Sequence, residues 1–301
     1  MNRHGILRRL MTIDGPVEYL VAGQGAPLVA FHGALGNAES MAWFVRAFAD
    51  DFRVIVPSVG DRWDPATVVR SVECVLDAEG VQNAAVFGIS FGGLVAQAFL
   101  ERRPQRVSRL ILMSCPPLRR AASLLYHAAS SLARRLPLSL LQLLVRGFLS
   151  RRLAPAPRGT AVQRALRTHR RRLDRLGDRL DRKAVVSRFA LAARIHEGAI
   201  ELRRVLRLWS GPVLLMVADD DPLLGGHARE RLREEFPWAY VHAFAMGGHV
   251  IPLFHGEEVR RVIGAFARDG IGSNQATASR FRSPLATRYS SSRRAKIASQ
   301  R

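Results

Sequence analysis

Short apolar runs alternate with helical stretches of about a dozen residues along most of the chain, and this order limits its possible folds more than any other feature. The runs at 26–31 (APLVAF) and 52–57 (FRVIVP) are nearly continuous, which is typical of strands buried on both faces of a sheet. Strands separated by helices of this length form βαβ units. The sequence therefore predicts an α/β fold with a mostly parallel sheet flanked by helices.

The same pattern predicts the individual elements on both sides of a central arginine-rich stretch. Asp64 begins one helical stretch, Pro65 fits its first helical position, and Gly80 fits its end. Strands are predicted at 16–23, 26–33, 52–58, 84–90, 109–115, 212–218 and 240–246. Helices are predicted at 38–49, 64–80, 91–103, 228–236 and 257–267.

The strand–helix order stops at Pro116 and Pro117 and resumes near residue 209. Between these points the pattern is helical and arginine-rich, so one α/β domain with a helical insertion is the simplest organisation. The end of the chain is rich in Ser, Ala and Arg and has little apolar content, which is typical of disorder. The predicted organisation is a core at 1–117 and 209–270, a helical cap at 118–208 and a disordered basic tail at 271–301.

The formal net charge of +21 at first favours a nucleic-acid binder, but the excess charge is confined to two segments. Residues 119–194 hold 19 basic residues and three aspartates, and residues 271–301 hold seven basic residues and no acid. The rest of the chain is nearly neutral. All but two of the 46 basic residues are arginine, as a GC-rich genome would produce without selection for phosphate binding. Because no nucleic-acid motif is present, we expect no nucleic-acid partner.

Two cysteines, Cys74 and Cys115, are too few for a disulfide framework, and neither belongs to a metal-binding motif. Both are interpreted as small buried thiols in a reducing compartment. The basic N-terminus has its apolar stretch broken by Arg8 and Arg9 before it reaches signal-peptide length. The longest apolar stretch, 84–100, contains polar residues and is too short for a membrane span. The sequence therefore predicts a cytoplasmic protein.

Residues 88–92 (GISFG) match the pattern GxSxG directly after an apolar strand and directly before a helix. A serine on such a sharp turn has a strained backbone, and glycines two residues before and after it let the strand and helix approach. The turn also directs the N–H of Phe91 and the N-terminus of the helix at a reacting carbonyl. Ser90 is therefore the predicted nucleophile, and a glycine-rich packing turn is the alternative.

A second turn, His32-Gly33-Ala34-Leu35-Gly36, follows the strand 26–31. An acyl-transfer site needs two N–H donors for an oxyanion, and Ala34 can supply one while Phe91 supplies the other. His32 precedes the nucleophile in the chain, whereas a strand-to-helix elbow is followed by its acid and then by its histidine. We interpret His32 as a histidine that braces the loop.

The general base must lie at the carboxyl edge of the sheet, and His249 follows the last strand within Gly247-Gly248-His249. Three other histidines compete for this role. His227 lies at a polar helix start, His242 lies within the strand, and His255 opens the next helix, where we expect it at the surface. His249 is the predicted base.

Three consecutive aspartates, Asp219, Asp220 and Asp221, follow the strand 212–218 and compete as the acid that orients the histidine. The other usual position for the acid is after the strand that follows the nucleophile helix. That segment, 113–118, reads MSCPPL and offers no carboxylate. The acid is therefore expected within the triplet.

These motifs, in this order and spacing, resemble the α/β-hydrolase superfamily over residues 12–118 and 205–268. The resemblance implies that the helical insertion is a cap and that the acid directly precedes Pro222, which selects Asp221 and leaves Asp220 as the alternative. Haloalkane dehalogenases and epoxide hydrolases have aspartate where Ser90 stands, so their chemistry is not expected. The loop 58–64 (SVGDRWD) departs from the acidic, glycine-rich turn of many members, so the substrate class does not carry over.

The expected activity is hydrolysis of a carboxylic ester or thioester of a small-molecule substrate, with no metal or organic cofactor. Phe91, Trp43, Met216 and Met246 are candidates for an apolar pocket lining, or for ordinary core.

The cap is loosely similar to maspardin-like proteins, some of which are regarded as adaptors, so a non-catalytic adaptor is a second hypothesis. A third is an interfacial lipase-like enzyme, because 136–149 is very apolar and flanked by arginines, which favours peripheral membrane contact through the cap. The oligomeric state is not predicted.

Overall fold

One sheet organises the protein, whose computed structural model describes residues 5–152, 168, 171 and 181–268. Its eight strands lie in the order β1-β2-β4-β3-β5-β6-β7-β8. The strands are β1 (Ile6–Thr12), β2 (Gly15–Ala22), β3 (Ala26–Phe31), β4 (Phe52–Pro57), β5 (Ala84–Ile89), β6 (Val107–Met113), β7 (Val213–Ala218) and β8 (Tyr240–Phe244).

The sheet is parallel from β4 to β8 and antiparallel at the other edge, where β1 pairs with β2 and β2 with β4. The mostly parallel sheet predicted from the sequence is confirmed. Strand β1 was not predicted, because Arg8 and Arg9 interrupt its apolar residues. It is an edge strand with mostly exposed side chains, and Arg8 forms an ion pair of 2.6 Å with Glu79.

The helices lie where the predicted periodicity places them, with small differences at their ends. The Asp64 side chain accepts the N–H of Thr67 at 3.0 Å and caps the second helix, and Pro65 is its first residue. The helices are α1 (Ala42–Phe48), α2 (Pro65–Ala78), α3 (Phe91–Arg102), α4 (Arg120–Arg135), α5 (Leu138–Arg152), α6 (Arg182–Glu197), α7 (Ala199–Leu206), α8 (Gly226–Glu235), α9 (Ile251–Phe254) and α10 (Gly256–Arg268).

The hydrophobic core forms two layers, one on each face of the sheet. In β3, Val29 and Phe31 belong to one layer, whereas Leu28 and Ala30 belong to the other. Successive side chains of a strand point to opposite faces, so a strand buried on both faces is apolar at every position. This arrangement explains the continuous apolar runs in the sequence.

Helices α4 to α7 lie between β6 and β7, the position of the predicted cap. Helices α4 and α6 are held together by Ser130 Oγ, which donates to the Val186 carbonyl at 3.1 Å, and by a hydrogen bond of 2.8 Å between His127 Nε2 and Glu197. The predicted cap, 118–208, includes residues 153–180, most of which lie outside the described residues. The predicted tail at 271–301 lies outside them as well. Within the described ranges, none of the helices is both long and apolar enough to cross a membrane.

Candidate active site

Ser90 lies at the turn between β5 and α3, at the carboxyl edge of the sheet. Its backbone has φ 55° and ψ −120°, a conformation that residues with a side chain rarely adopt. A Cβ atom at Gly88 would clash with the backbone of Gly92, and one at Gly92 would clash with the carbonyl of Phe31. The two glycines of the motif therefore let the strand, the turn and the helix approach closely.

His249 connects the Ser90 hydroxyl to the Asp221 carboxylate. Its Nε2 lies 2.7 Å from Ser90 Oγ, and its Nδ1 lies 2.9 Å and 3.1 Å from the two carboxylate oxygens of Asp221. An imidazole that donates Nδ1–H to the carboxylate has Nε2 free to accept the hydroxyl proton. Because the loops after β5, β7 and β8 all leave the same edge of the sheet, three residues distant in sequence meet there.

The three consecutive aspartates point in different directions. Asp221 is 4% exposed, and its Oδ1 also accepts the backbone N–H of Leu223 at 2.8 Å. Asp220 is exposed, and its Oδ1 accepts the N–H of Gly248 at 2.8 Å. Asp219 is exposed as well. Asp221 thus contacts the imidazole, whereas Asp220, the alternative candidate for the acid, anchors the loop that carries His249.

The competing histidines contact other groups. His242 Nε2 lies 2.9 Å from Glu258, and the side chain of His227 is fully exposed at the start of α8. His255, expected at the surface, has intermediate exposure. It is partly buried, with Nε2 2.6 Å from the Met246 carbonyl, because the short helix α9 turns it back towards the loop before His249.

His32 is buried beneath the turn that contains Ala34. Its Nε2 accepts the N–H of Val59 at 3.1 Å, and its Nδ1 lies 2.9 Å from the Gly33 carbonyl. Burial, reinforced by the nearby charge of Arg188, lowers the pKa of His32 to about 4, so the ring is neutral near pH 7. His32 therefore joins two loops through its ring nitrogens, in agreement with the interpretation as a bracing residue.

Arg188 of α6 is a residue near the site that sequence reasoning missed. It is 8% exposed, its Nε donates to the Ala34 carbonyl at 3.2 Å, and its Nη1 donates to the Gly60 carbonyl. The guanidinium also lies 5.7 Å from the centre of the Phe91 ring. The two predicted oxyanion donors, Ala34 and Phe91, are thus both contacted by one residue of α6.

The position of Arg188 within its helix held a signal that could have identified it. Arg188 shares one helical face with Val185, Leu191 and Ile195, all of which are buried. An arginine on such a face must find partners inside the protein. Burial lowers the pKa of Arg188 to about 10, so it remains a cation near pH 7.

An apolar side chain of helix α5 lies over this edge of the sheet. Val145 of α5 belongs to a partly buried cluster with Leu35, which follows Ala34, and Leu223, which follows the aspartate triplet. The predicted lining residues are placed differently. Met216 and Phe91 are buried in different core layers, Trp43 packs against the layer of Met216, and Met246 is 47% exposed.

The two cysteines are not bonded to each other. Cys115 is buried, and burial raises the pKa of its thiol well above the ordinary value. Cys74 is partly exposed on α2, so the prediction that both thiols are buried was wrong for Cys74. In the part of the chain that the structure describes, His, Cys, Asp and Glu side chains form no group of three suited to a metal ion.

Curated proteins with similar sequences include hydrolases, and each similarity covers part of the chain. The chain is 35% identical over 122 residues to a 2-hydroxy-6-oxononadienedioate/2-hydroxy-6-oxononatrienedioate hydrolase of Paraburkholderia xenovorans, which is 35% of this chain and 42% of that protein. It is 32% identical over 103 residues to a 2-hydroxymuconate semialdehyde hydrolase of Pseudomonas putida, covering 30% and 37%. The chain thus spans less than half the length of these relatives.

Solved structures with the same fold cover most of the chain. A hydrolase from Pseudomonas aeruginosa superimposes with a TM-score of 0.73 at 19% identity, over 88% of this chain and 99% of that one. A thermophilic esterase from Thermogutta terrifontis superimposes with a TM-score of 0.68 at 20% identity, over 87% and 98%. The family model of the alpha/beta hydrolase fold matches residues 26–256. Because this match covers most of the chain, the chain belongs to the alpha/beta hydrolase family.

Proposed function

We propose that the protein is a serine hydrolase that cleaves a carboxylic ester or thioester through an acyl-enzyme on Ser90. The observation that carries the proposal is the continuous set of contacts from Ser90 Oγ to His249 Nε2 and from His249 Nδ1 to Asp221. A serine hydroxyl is a weak nucleophile until a base takes its proton. His249 lies within hydrogen-bond distance of that proton.

In the first half of the proposed reaction, Ser90 Oγ attacks the substrate carbonyl carbon while its proton passes to His249 Nε2. The carbonyl oxygen becomes an oxyanion, which accepts the backbone N–H groups of Ala34 and Phe91. Asp221 stabilises the imidazolium and keeps Nδ1 protonated. When the tetrahedral intermediate collapses, His249 returns its proton to the alcohol or thiol that leaves, and the acyl group stays on Ser90.

In the second half, His249 Nε2 takes a proton from water, and the resulting hydroxide attacks the acyl carbon. Collapse of this second intermediate returns the proton to Ser90 Oγ and releases the carboxylic acid. The contact of Asp220 with the N–H of Gly248 supports the loop of His249 throughout. Arg188 supports the turn of Ala34 from the cap.

The relatives support the hydrolase class, since their names include two hydrolases and an esterase. The alternative is an adaptor that keeps the fold without catalysis. Loss of catalysis is usually visible as a missing triad side chain, but here the three side chains are present and in contact. That observation favours an enzyme over an adaptor.

The proposal is tested by labelling the purified chain with a fluorophosphonate probe, which reacts with activated serines. We expect labelling of the wild type, none of Ser90→Ala, and normal labelling of Ser131→Ala, a control at an exposed position of α4. A series of nitrophenyl esters of increasing acyl length and one thioester then define the substrate. Wild-type protein that is folded but unlabelled would favour the adaptor, and labelling that persists in Ser90→Ala would assign another nucleophile.

A further inference from the structure

Helix α5 is apolar on two opposite sides, although only one of them packs on the protein. Leu141 is 4% exposed and packs with residues of α4 and α6, and Val145 contributes to the cluster over the sheet edge. On the other side, Leu140, Leu143 and Leu144 recur at helical spacing and are 40%, 64% and 51% exposed. We name these three leucines the outer stripe of α5.

Helix α4, which precedes α5 across Leu136 and Pro137, also exposes leucines. Leu124, Leu125 and Leu132 are 73%, 75% and 55% exposed. Single exposed apolar residues are normal on protein surfaces, but a concentration of large ones marks a surface that contacts something apolar. Six exposed leucines on two consecutive helices form such a concentration.

The charge around these leucines indicates the chemistry of the partner. Residues 119–148, which span α4 and most of α5, contain five arginines and no aspartate or glutamate. Arg134 and Arg135, at the end of α4, are exposed beside the start of α5. Two copies of this segment facing each other would repel, which disfavours self-association. A nucleic-acid backbone would neutralise the arginines but would leave the leucines in water. An anionic lipid surface accommodates both groups.

The length of α5 fits a helix that lies on a bilayer. Its 15 residues extend over about 22 Å, which is shorter than the hydrocarbon core of a membrane. A helix lying in the interface inserts one apolar face into the boundary between headgroups and acyl chains and keeps arginines among the headgroups. The outer stripe has the residue types for that insertion.

We propose that the outer stripe of α5, together with the exposed leucines of α4, docks the protein on a bilayer that contains anionic phospholipid. Leu143 and Leu144 enter the acyl-chain region, and arginines of the cap contact phosphate groups. Because the opposite side of α5 covers the edge of the sheet that carries Ser90, docking brings that edge close to the membrane. The proposal concerns binding and is independent of the proposed hydrolase activity.

The test is flotation of the full-length chain with vesicles. We expect it to float with vesicles of phosphatidylcholine mixed with phosphatidylglycerol and to remain behind with phosphatidylcholine alone. Leu143→Glu and, separately, Leu144→Glu should each weaken the partition by about tenfold or more, since each loses buried apolar area and adds a charge repelled by the lipid. Circular dichroism should show unchanged folding, because both side chains are exposed.

The matched control is Leu208→Glu. Leu208 is 91% exposed and precedes β7, at the amino edge of the sheet and away from Ser90, so this variant makes the same chemical change off the proposed surface. Its partition should stay within about twofold of the wild type. Equal losses for Leu143→Glu and Leu208→Glu would overturn the proposal, because binding would then depend on charge alone. Failure of the wild type to float with anionic vesicles, or a dimer in gel filtration that Leu143→Glu dissociates, would also overturn it.

Discussion

Polar side chains are buried at the carboxyl edge of the sheet, whereas apolar side chains are exposed on helices α4 and α5. At the sheet edge, Asp221 and His249 are buried, and each has partners contributed by another loop. On α4 and α5, leucines are exposed in a segment that carries many arginines and no acid. The first region is complete within the described residues, whereas the second presents groups that suit an external partner. Arg188 connects the sheet edge to helix α6.

Removal of the imidazole is expected to have the largest effect at the sheet edge. His249→Ala should lower the turnover number for an activated ester by several orders of magnitude, on the order of 10⁶ if the three residues act as a unit. His255→Ala should change it little, since the His255 ring contacts the Met246 carbonyl and Glu258 and neither Ser90 nor Asp221. Both variants are assayed on one nitrophenyl ester after circular dichroism shows that they are folded. Equal losses would contradict the assignment of His249 as the base.

The aspartate triplet tests whether the sheet edge depends on one particular carboxylate. Asp221→Asn should lower the turnover number by about 10⁴, because an amide favours the wrong histidine tautomer. Asp220→Asn should cost far less, since an amide oxygen can still accept the N–H of Gly248.

Asp219→Asn is the control for the triplet, because Asp219 is exposed. The three variants are compared on the same ester and at the same pH. If Asp220→Asn is the inactive protein and Asp221→Asn remains active, the assignment of the acid is wrong by one residue.

Arg188 tests whether the cap supports the sheet edge. Arg188→Met keeps an apolar stem near Phe91 but removes both donors to the Ala34 and Gly60 carbonyls. Displacement of the Ala34 turn should lower kcat by about 10- to 100-fold with a smaller change in KM, since the oxyanion forms only in the transition state.

Arg194→Met is the matched control on the same helix, where the guanidinium stacks on Trp63 at 4.3 Å. Its kcat should remain within about twofold of the wild type. A change in KM alone for Arg188→Met would show that Arg188 contacts the substrate and does not position the turn.

Glu235 lies where β6 leads into the inserted helices, and its substitution is expected to have the smallest effect, a change in how the free energy of unfolding depends on pH. Its Oε2 accepts the N–H of Leu118 at 3.3 Å, where the chain enters the cap, and burial raises its pKa to about 7. The unfolded chain releases this proton near the ordinary value of 4.5. The folded protein therefore binds more protons between these two values, and its free energy of unfolding falls as the pH rises through this range.

Glu235→Gln removes that titration. The free energy of unfolding of Glu235→Gln minus that of the wild type should therefore rise by roughly 2 kcal/mol from about pH 5 to about pH 8. Urea unfolding at both pH values measures the gain, and Glu234→Gln, at an exposed neighbour, should show none. The same stability difference between Glu235→Gln and wild type at both pH values would contradict the raised pKa.

Local patterns predicted much of the fold. Strands β2 to β8 were predicted from apolar runs, because a strand buried on both faces shows its burial in its own residues. Strand β1 was missed for the opposite reason. An exposed edge strand carries polar residues and is stabilised by pairing with its neighbour, here β2, in a register that places Ile6 opposite Val21. The alternation also predicted the helices, and its interruption predicted a helical insertion between β6 and β7, where α4 to α7 lie.

The sequence by itself determined the sharp turn at Ser90 and the placement of His249 after the last strand, since glycine spacing and element order are local properties. The tertiary structure decided which carboxylate meets the imidazole, that Asp220 holds Gly248, and that Arg188 reaches a carbonyl 154 residues away. It also decided that the apolar helix α5 exposes one side. These contacts depend on the relative position of distant segments, and that position results from packing the whole core, which no single window of sequence encodes.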